Sequence, residues 1–311
     1  MNTFKYSSDN KRYHTLHYYN MQKFGERVYK APINAGFSCP NIDGTKGTNG
    51  CIYCDGGSGY FTDDSNISVK DQLEHQISLI HTKHPNAKIN AYFQSYTNTY
   101  APVEILKKRF EPVLDFPDVV AMSIATRADC LPEDVMEYLT ELSSRINLTV
   151  ELGLQSTDDG TAELIGRGHS FNEFVWGLEK LKAAWIRTVV HIINGLPHEN
   201  KDMMLETAYR LGKMKPDGLK IHLLHIIRNT ELERMYYMQR YIPMTMEEYV
   251  NITVKQLEYI PAETVIERLT GDGDKSKLVA PLWSTDKIAV LGEIDKMQAQ
   301  LDTYQGKKYK Y

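Results

Sequence analysis

The sequence predicts an α/β chain. Residues 1–230 are expected to form an open, partial (β/α)6 TIM barrel, and residues 231–311 a mixed α+β C-terminal extension. Three observations carry this reading. Six short apolar runs rich in β-branched residues alternate with longer amphipathic segments, the pattern of parallel strands covered by helices on both faces. Six such units are too few to close an eight-stranded barrel. After about residue 230 the alternation stops.

The strand-like runs are residues 28–35, 88–93, 119–126, 147–154, 187–193 and 218–226. Between them, residues 69–84, 103–115, 132–145, 171–185 and 201–214 place apolar side chains at helical spacing. Pro132 stands where a first helical turn begins, and Ser170-Phe-Asn-Glu173 predicts a capping box. In the extension, helices are expected at 231–241 and 246–259 and a strand at 264–269. The polar turn Thr270-Gly-Asp-Gly-Asp274 and a helix near 286–301 follow. This extension is expected to close one side of the barrel and shape the substrate pocket.

Of the 311 residues, 42% are apolar, enough for a sizeable core. The sequence holds no apolar run long enough to span a bilayer, and its polar N-terminus does not read as a signal peptide. Four cysteines, three of them clustered, make no disulfide framework, so a reducing cytoplasm is expected. The net charge of −4 argues against gross electrostatic attraction to nucleic acid. The two ends of the chain differ from this average. Lys5, Lys11, Arg12, Lys23, Arg27, Lys30 and Lys46 lie near the start, and Gly306-Lys-Lys-Tyr-Lys-Tyr311 ends the chain. These are candidate phosphate contacts, with solvated lysines the plain alternative.

The chemistry is concentrated in Gly36-Phe-Ser-Cys-Pro-Asn-Ile-Asp-Gly-Thr-Lys-Gly-Thr-Asn-Gly-Cys-Ile-Tyr-Cys54. Cys39, Cys51 and Cys54 have the spacing C-x11-C-x2-C. Three soft thiolates can hold three irons of a [4Fe–4S] cluster and leave the fourth open. Zinc is the alternative, but it prefers four closed ligands, and here one pair and a single Cys have no His close by. Cys130 reads as a small buried thiol, since a fourth thiolate would block the open iron.

In parallel β/α folds, chemistry collects at the carboxyl ends of the strands. All six runs meet that test. The three cysteines follow the first run, Gln94 and Ser95 the second, and Thr126, Arg127 and Asp129 the third. Gln155 and Ser156 follow the fourth, Asn194 and Gly195 the fifth, and His225 ends the sixth. His222 and His225 are three apart and point to opposite faces of a regular strand, so both reach the pocket only if the strand ends between them; His225, nearer the strand end, is favoured as the pocket residue. Asp272 and Asp274 resemble a metal loop, but no further ligand spacing supports one.

Further segments complete a pattern: Tyr92-Phe-Gln-Ser-Tyr-Thr-Asn-Thr-Tyr-Ala-Pro, Thr126-Arg-Ala-Asp-Cys-Leu-Pro, Glu151-Leu-Gly-Leu-Gln-Ser, Arg167-Gly-His, Asn194-Gly-Leu-Pro, Lys220-Ile-His-Leu-Leu-His, Arg268-Leu-Thr-Gly-Asp-Gly and Ala280-Pro-Leu-Trp. With the cysteine loop, these make the chain resemble the YtqA/YhcC family of radical SAM enzymes over nearly its whole length. That family is related to the catalytic subunit of Elongator and, more distantly, to oxygen-independent coproporphyrinogen oxidase. Ala128 stands where the family usually has Pro.

The resemblance implies a barrel of the radical SAM type and two cofactors, one [4Fe–4S] cluster and S-adenosyl-L-methionine (SAM). The implied ligands are Cys39, Cys51 and Cys54. Gln155 and Arg167 match positions holding the ribose and methionine ends of SAM, Gln94 and Ser95 its amino group, and Asn194 and Gly195 the adenine side. Thr126 is a further SAM-contact candidate and His225 a catalytic one. The implied chemistry is reductive cleavage of SAM to a 5′-deoxyadenosyl radical that abstracts hydrogen. The electron is expected from a donor such as flavodoxin or ferredoxin.

The Elongator relationship implies tRNA as substrate. The implied reaction takes the C5 side chain of the wobble uridine from 5-carboxymethylaminomethyl to 5-aminomethyl, with or without 2-thio. Tyr13, Tyr18, Tyr19, Tyr96 and Tyr100 are candidates for stacking an extruded base. The rival readings are a small-molecule or peptide substrate and a non-catalytic metal module that binds RNA.

Overall fold

The structure, a computed structural model, describes residues 4–55, 62–271 and 273–310. Asp272 of the polar turn and Tyr311 of the tail lie outside the described residues. Seven parallel strands form one curled open sheet: β1 (Val28–Ile33), β2 (Lys88–Phe93), β3 (Val119–Thr126), β4 (Asn147–Gln155), β5 (Arg187–Asn194), β6 (Gly218–Leu223) and β8 (Val265–Arg268), paired in that order. Two short strands, β7 (Ile226–Ile227) and β9 (Leu278–Ala280), pair antiparallel at the barrel mouth. The helices are α1 (Leu16–Phe24), α2 (Val69–Lys83), α3 (Val103–Phe110), α4 (Glu133–Arg145), α5 (Asp159–Leu164), α6 (Phe171–Ala183), α7 (Lys201–Met214), α8 (Glu231–Tyr237), α9 (Met246–Leu257) and α10 (Lys287–Gln300).

The six expected β/α units are present, and most boundaries agree within a residue or two. The differences have local causes. Pro112 ends α3, and residues 111–115 tighten into a 3-10 turn. The run at 218–226 breaks after Leu223, so His225 lies in a loop beyond β6 rather than on it. Helices α1 and α5 were not expected; α1 contains no buried residue, so it leaves no apolar stripe to read. The capping box at Ser170 and Glu173 is present, and Thr245 and Glu248 make a second. The boundary expected at residue 230 crosses a continuous sheet, because β8 of the extension pairs with β6.

Each strand sorts its side chains by alternation. One set, including Ile33, Ile89, Phe93, Ile124, Val150, Leu152, Val190 and Ile221, is fully buried in the apolar layer under the helices. The other set faces the barrel lumen and is polar. Glu151 on β4 is its centre: Tyr92 donates to it at 2.7 Å, and Lys30 lies at 3.3 Å and His191 at 2.8 Å. Lys220 also pairs with it. Lys30 reaches across the open side of the sheet to Glu267 on β8 at 3.2 Å, and Arg187 meets Glu267 at 2.9 Å. The foot of the lumen is covered by α1, whose Tyr19 ring stacks 4.7 Å from the Arg187 guanidinium.

Candidate active site at the carboxyl ends of the strands

The cysteine loop follows β1, and backbone and side chain both shape it. Cys39 O accepts from Ile42 and Asp43 N–H groups at 2.9 and 3.2 Å, and Cys51 O from Cys54 N at 2.9 Å. Asn41 ties the loop to the segment after α5. Its amide donates to Gly166 O and Arg167 O, both at 2.9 Å, and reaches Cys51 Sγ at 3.4 Å. Gly168, with φ +73°, lies so close that a Cβ there would stand 2.3 Å from Asn41 Oδ1.

A charged latch fixes the same segment. Arg127 grips Asp129 with two bonds of 2.9 Å and donates to Arg167 O at 2.8 Å and Gly168 O at 3.0 Å. Lys46 of the cysteine loop adds 2.6 Å to Asp129 and 2.9 Å to Gly168 O. Burial opposes the charge on Asp129, but Arg127 and Lys46 overcome it and hold the carboxyl well below its usual range. Thus Arg127 and Asp129, noted at a strand end without a role, position the cysteine loop against Arg167.

Gln155 and Arg167 are brought together. A bulge in β4 and a φ of +76° at Gln155 turn the strand end. Both side chains lie over Gly153: a Cβ there would stand 2.8 Å from Gln155 Nε2 and 3.0 Å from an Arg167 guanidinium nitrogen. Arg167 is buried and donates Nε to Gly153 O at 3.0 Å. Gln94 is half-buried and Ser95 buried where β2 ends. Asn98 braces that loop by donating to Ser95 O at 3.1 Å and Ala125 O at 2.8 Å. Burial raises the Tyr96 phenol, and nearby Cys54, Asp55 and Cys39 raise it further, so this turn adjoins the cysteines.

Two expected SAM contacts have their polar groups engaged elsewhere. The Thr99 hydroxyl gives its proton to Cys130 O at 2.6 Å, so Thr126 spends its own on Thr99, also at 2.6 Å. Asn194 exchanges bonds of 2.8 and 2.9 Å with Gln256 on α9. Both side chains therefore act as internal braces. Gly195, with φ +85°, packs under Met244, and its carbonyl accepts from Tyr241 at 2.6 Å.

Among the histidines, His222 shares the lumen face with Lys220 and lies 5.3 Å from the His191 ring. His225 is wrapped by Gly271 and Gly273, where a Cβ would stand 2.5 and 2.8 Å from its ring. Both Nε2 atoms are buried and have no hydrogen-bond partner among the described residues. Burial holds both imidazoles neutral, His225 down to about 4 with help from Lys287. The strand ends between the two histidines, the condition under which both can reach the pocket. Of the five tyrosines, Tyr96 and Tyr100 adjoin this mouth. Tyr13 is buried, while Tyr18 and Tyr19 gather with His14 at the foot of the barrel.

The sequence reading missed Glu199, which follows β5 and accepts from Ser156. Burial raises its carboxyl, and Asp158 adds to that, to about 7 against the Ser156 bond. A carboxyl raised in the folded state stabilises below its unfolded pKa, and that contribution is lost as pH rises through 7. Thermal stability of wild type is therefore expected to fall from about pH 4.5 to about pH 7 and to level off above that. Glu199→Gln is expected to flatten that dependence and gain about 1–2 kcal/mol at pH 8. An unchanged slope in the variant would assign it to another group.

The donor set suits a cluster with one open iron. Cys39, Cys51 and Cys54 stand outside any disulfide. Cys130 is buried, and burial followed by Asp129 pushes its thiol up to about 12, so it is no ready thiolate. Among the described residues no three His, Cys, Asp or Glu side chains converge as a single-ion site. A cubane asks each thiolate for a different iron instead. The extension closes over the loop through a second apolar cluster. Ile165, Leu196, Leu224, Ile226 and Leu232 pack with Ile52 and Tyr53, and Leu232 N donates to Ile52 O at 2.9 Å.

Comparison with known proteins agrees with this arrangement. Residues 42–211 match the Radical SAM superfamily and residues 216–299 the Radical_SAM C-terminal domain. The chain is 45% identical to YtqA of Bacillus subtilis (strain 168) over 98% of its length and 95% of that protein's. It is 27% identical to a tRNA uridine(34) acetyltransferase of Methanocaldococcus jannaschii, over 49% of this chain and 28% of that one. The archaeal Methanocaldococcus infernus Elp3, lacking its N-terminus, superposes with a TM-score of 0.69 at 19% identity, covering 89% of this chain and 64% of the other. That likeness shows the fold.

Proposed function

The chain belongs to the radical SAM superfamily, and from that premise we propose that it modifies tRNA, converting the wobble uridine C5 side chain from 5-carboxymethylaminomethyl to 5-aminomethyl. The single observation supporting a radical enzyme is the loop of three cysteines latched against Gln155 and Arg167 at the barrel mouth. Partial similarity to a protein named tRNA uridine(34) acetyltransferase supports the substrate.

When bound, the [4Fe–4S] cluster and SAM would supply one-electron sulfonium cleavage and hydrogen abstraction. The protein's part is binding, orientation and exclusion of water. Cys39, Cys51 and Cys54 would hold the cluster. Arg167 offers a permanent cation to a carboxylate, and Gln155 an amide to a diol. Gln94, Ser95 and Gly195 complete the wall, with Thr126 and Asn194 bracing it from behind. His222 and His225, neutral and unpartnered at Nε2, are the substrate-side groups. The second apolar cluster, with Tyr241 and Leu232, excludes water over the cysteine loop.

The test is an anaerobic reaction of reconstituted protein with SAM, dithionite and bulk tRNA carrying 5-carboxymethylaminomethyluridine. Mass spectrometry reads 5′-deoxyadenosine and the wobble nucleosides together. Loss of that nucleoside, gain of the aminomethyl form and 5′-deoxyadenosine release are expected, all absent without protein. Formation of 5′-deoxyadenosine with unchanged nucleosides would overturn the tRNA substrate and leave the radical chemistry.

A further inference from the structure

We propose that a groove at the foot of the barrel, opposite the cysteine site, is a second RNA-binding surface gripping the phosphate backbone of the substrate tRNA outside its anticodon loop. The inference rests on the tRNA reading above.

The groove encloses about 1460 Å³ and is built where the two ends of the chain meet. Gln305 N donates to Arg12 O at 2.9 Å, and Gln305 Oε1 accepts from His14 N at 2.9 Å. The basic residues noted at the chain start and the segment before the basic tail thus share one surface. Its walls carry six cationic side chains, Lys5, Arg12, Lys23, Lys182, Arg187 and Lys215, against three acidic ones. Arg187 and Lys182 pair beyond the wall with Glu267 and Glu179, so the positive surplus rests on the exposed lysines; in a chain of net charge −4 that surplus still favours a polyanion here.

The three carboxylates have partners already. Asp217 accepts from Thr188 N at 2.8 Å, Glu263 from Tyr6 at 3.3 Å, and Asp302 from Arg12 at 2.8 Å. Three exposed lysines instead rest on aromatic rings: Lys5 lies 4.9 Å from Tyr6, Lys23 5.6 Å from Tyr19, and Lys215 6.0 Å from Tyr309. Lys23 also donates to the Tyr19 hydroxyl at 3.2 Å, and all three exposed side chains are placed to meet phosphate.

Trp185 stands at the rim, 95% exposed. Its φ of +56° lies in the region that favours glycine. Neither packing nor backbone preference accounts for an indole there. A stacking platform beside a basic groove is the arrangement by which proteins hold nucleic acid without reading sequence. The nine residues of β4 span about 30 Å at ~3.3 Å each, so a ligand touching both ends of the barrel is long. A folded RNA with a stem beyond its reactive loop meets that requirement, whereas a mononucleotide does not.

The test uses the cluster-loaded full chain and two probes, bulk tRNA and a synthetic anticodon stem-loop, in equilibrium binding across a salt series. Lys5→Gln/Lys23→Gln/Lys215→Gln is expected to weaken full-length tRNA about tenfold at physiological salt and to lower the log–log salt slope by about two to three. Stem-loop binding is expected to stay unchanged. Trp185→Ala, a surface change that leaves folding intact, is expected to weaken full-length tRNA several-fold with an unchanged slope. Full-length affinity and slope within twofold of wild type in both variants would overturn the groove, as would equal losses on the stem-loop or wild type that binds no tRNA. Groove-dependent tRNA binding with unaltered wobble nucleosides would uphold the groove and remove the proposed reaction.

Discussion

Cys54→Ala is expected to abolish SAM cleavage while leaving the fold intact. Each of the three thiolates would hold a different iron, so removing one would leave two irons of a cubane without protein ligands. Iron is expected to fall from about four per chain to a small residue, the visible charge-transfer absorption to vanish, and 5′-deoxyadenosine to drop to background. Cys54 is exposed, so its own packing contributes little, and thermal unfolding of the cluster-free proteins should differ by no more than about 0.5 kcal/mol. Cys130→Ala supplies the contrast. That buried thiol is expected to cost about 1 kcal/mol of stability while keeping iron and activity. Retention of a full cluster in Cys54→Ala, or loss of it in Cys130→Ala, would mean that the ligand set has been misassigned.

The largest stability effect is expected at Glu151. Its carboxylate lies in the barrel lumen facing Lys30 and Lys220, with His191 and Tyr92 also bound to it. Burial disfavours its charge, but Lys220 and Lys30 overcome this and hold the carboxyl well below its ordinary value. Glu151→Ala strands Lys220 and leaves Lys30 with Glu267 alone, which costs about 3–5 kcal/mol, a fall in Tm on the order of 5–15 °C. Glu151→Leu/Lys220→Met is expected to recover much of that loss, since no unpaired charge remains on that axis. A depressed carboxyl stabilises above its unfolded pKa and loses its effect as pH falls through the folded one. The gap between wild type and Glu151→Gln should therefore close as pH falls into the acid range. A mild Glu151→Ala phenotype, within 1 kcal/mol of wild type, would show that Glu267 alone holds the lumen cations.

These two residues also mark what the sequence made legible. The cysteine spacing, the six β/α units and the strand-end polar residues stand out because each departs locally from an apolar run. Glu151 was quoted within Glu151-Leu-Gly-Leu-Gln-Ser, yet its place in the lumen stayed hidden. Lys30, Glu151, Arg187 and Lys220 come from four strands, and only pairing register brings them together. A stricter reading of alternation along β4 and β6 would have placed Glu151 and Lys220 on the face away from the helices. Asn194 and Thr126 show what position alone leaves open. A strand-end position identifies the right rim, but hydrogen-bond partners such as Gln256 and Thr99 decide which way the polar group turns. His225 was misplaced because an apolar run continues through it, although the sheet ends two residues earlier.

The seventh strand has a consequence for synthesis on the ribosome. Glu267, which neutralises Lys30 and Arg187, is made long after both. Until it emerges, a nascent chain containing all six β/α units holds two lumen cations with an incomplete counter-charge and an unpaired edge along β6. Such an edge recruits other strands, so the interval between translation of Leu223 and Arg268 is the period of greatest exposure to misassembly. Ribosome-stalled chains ending before β8 should be protease-sensitive and bound by chaperones, and those extending past α10 should not.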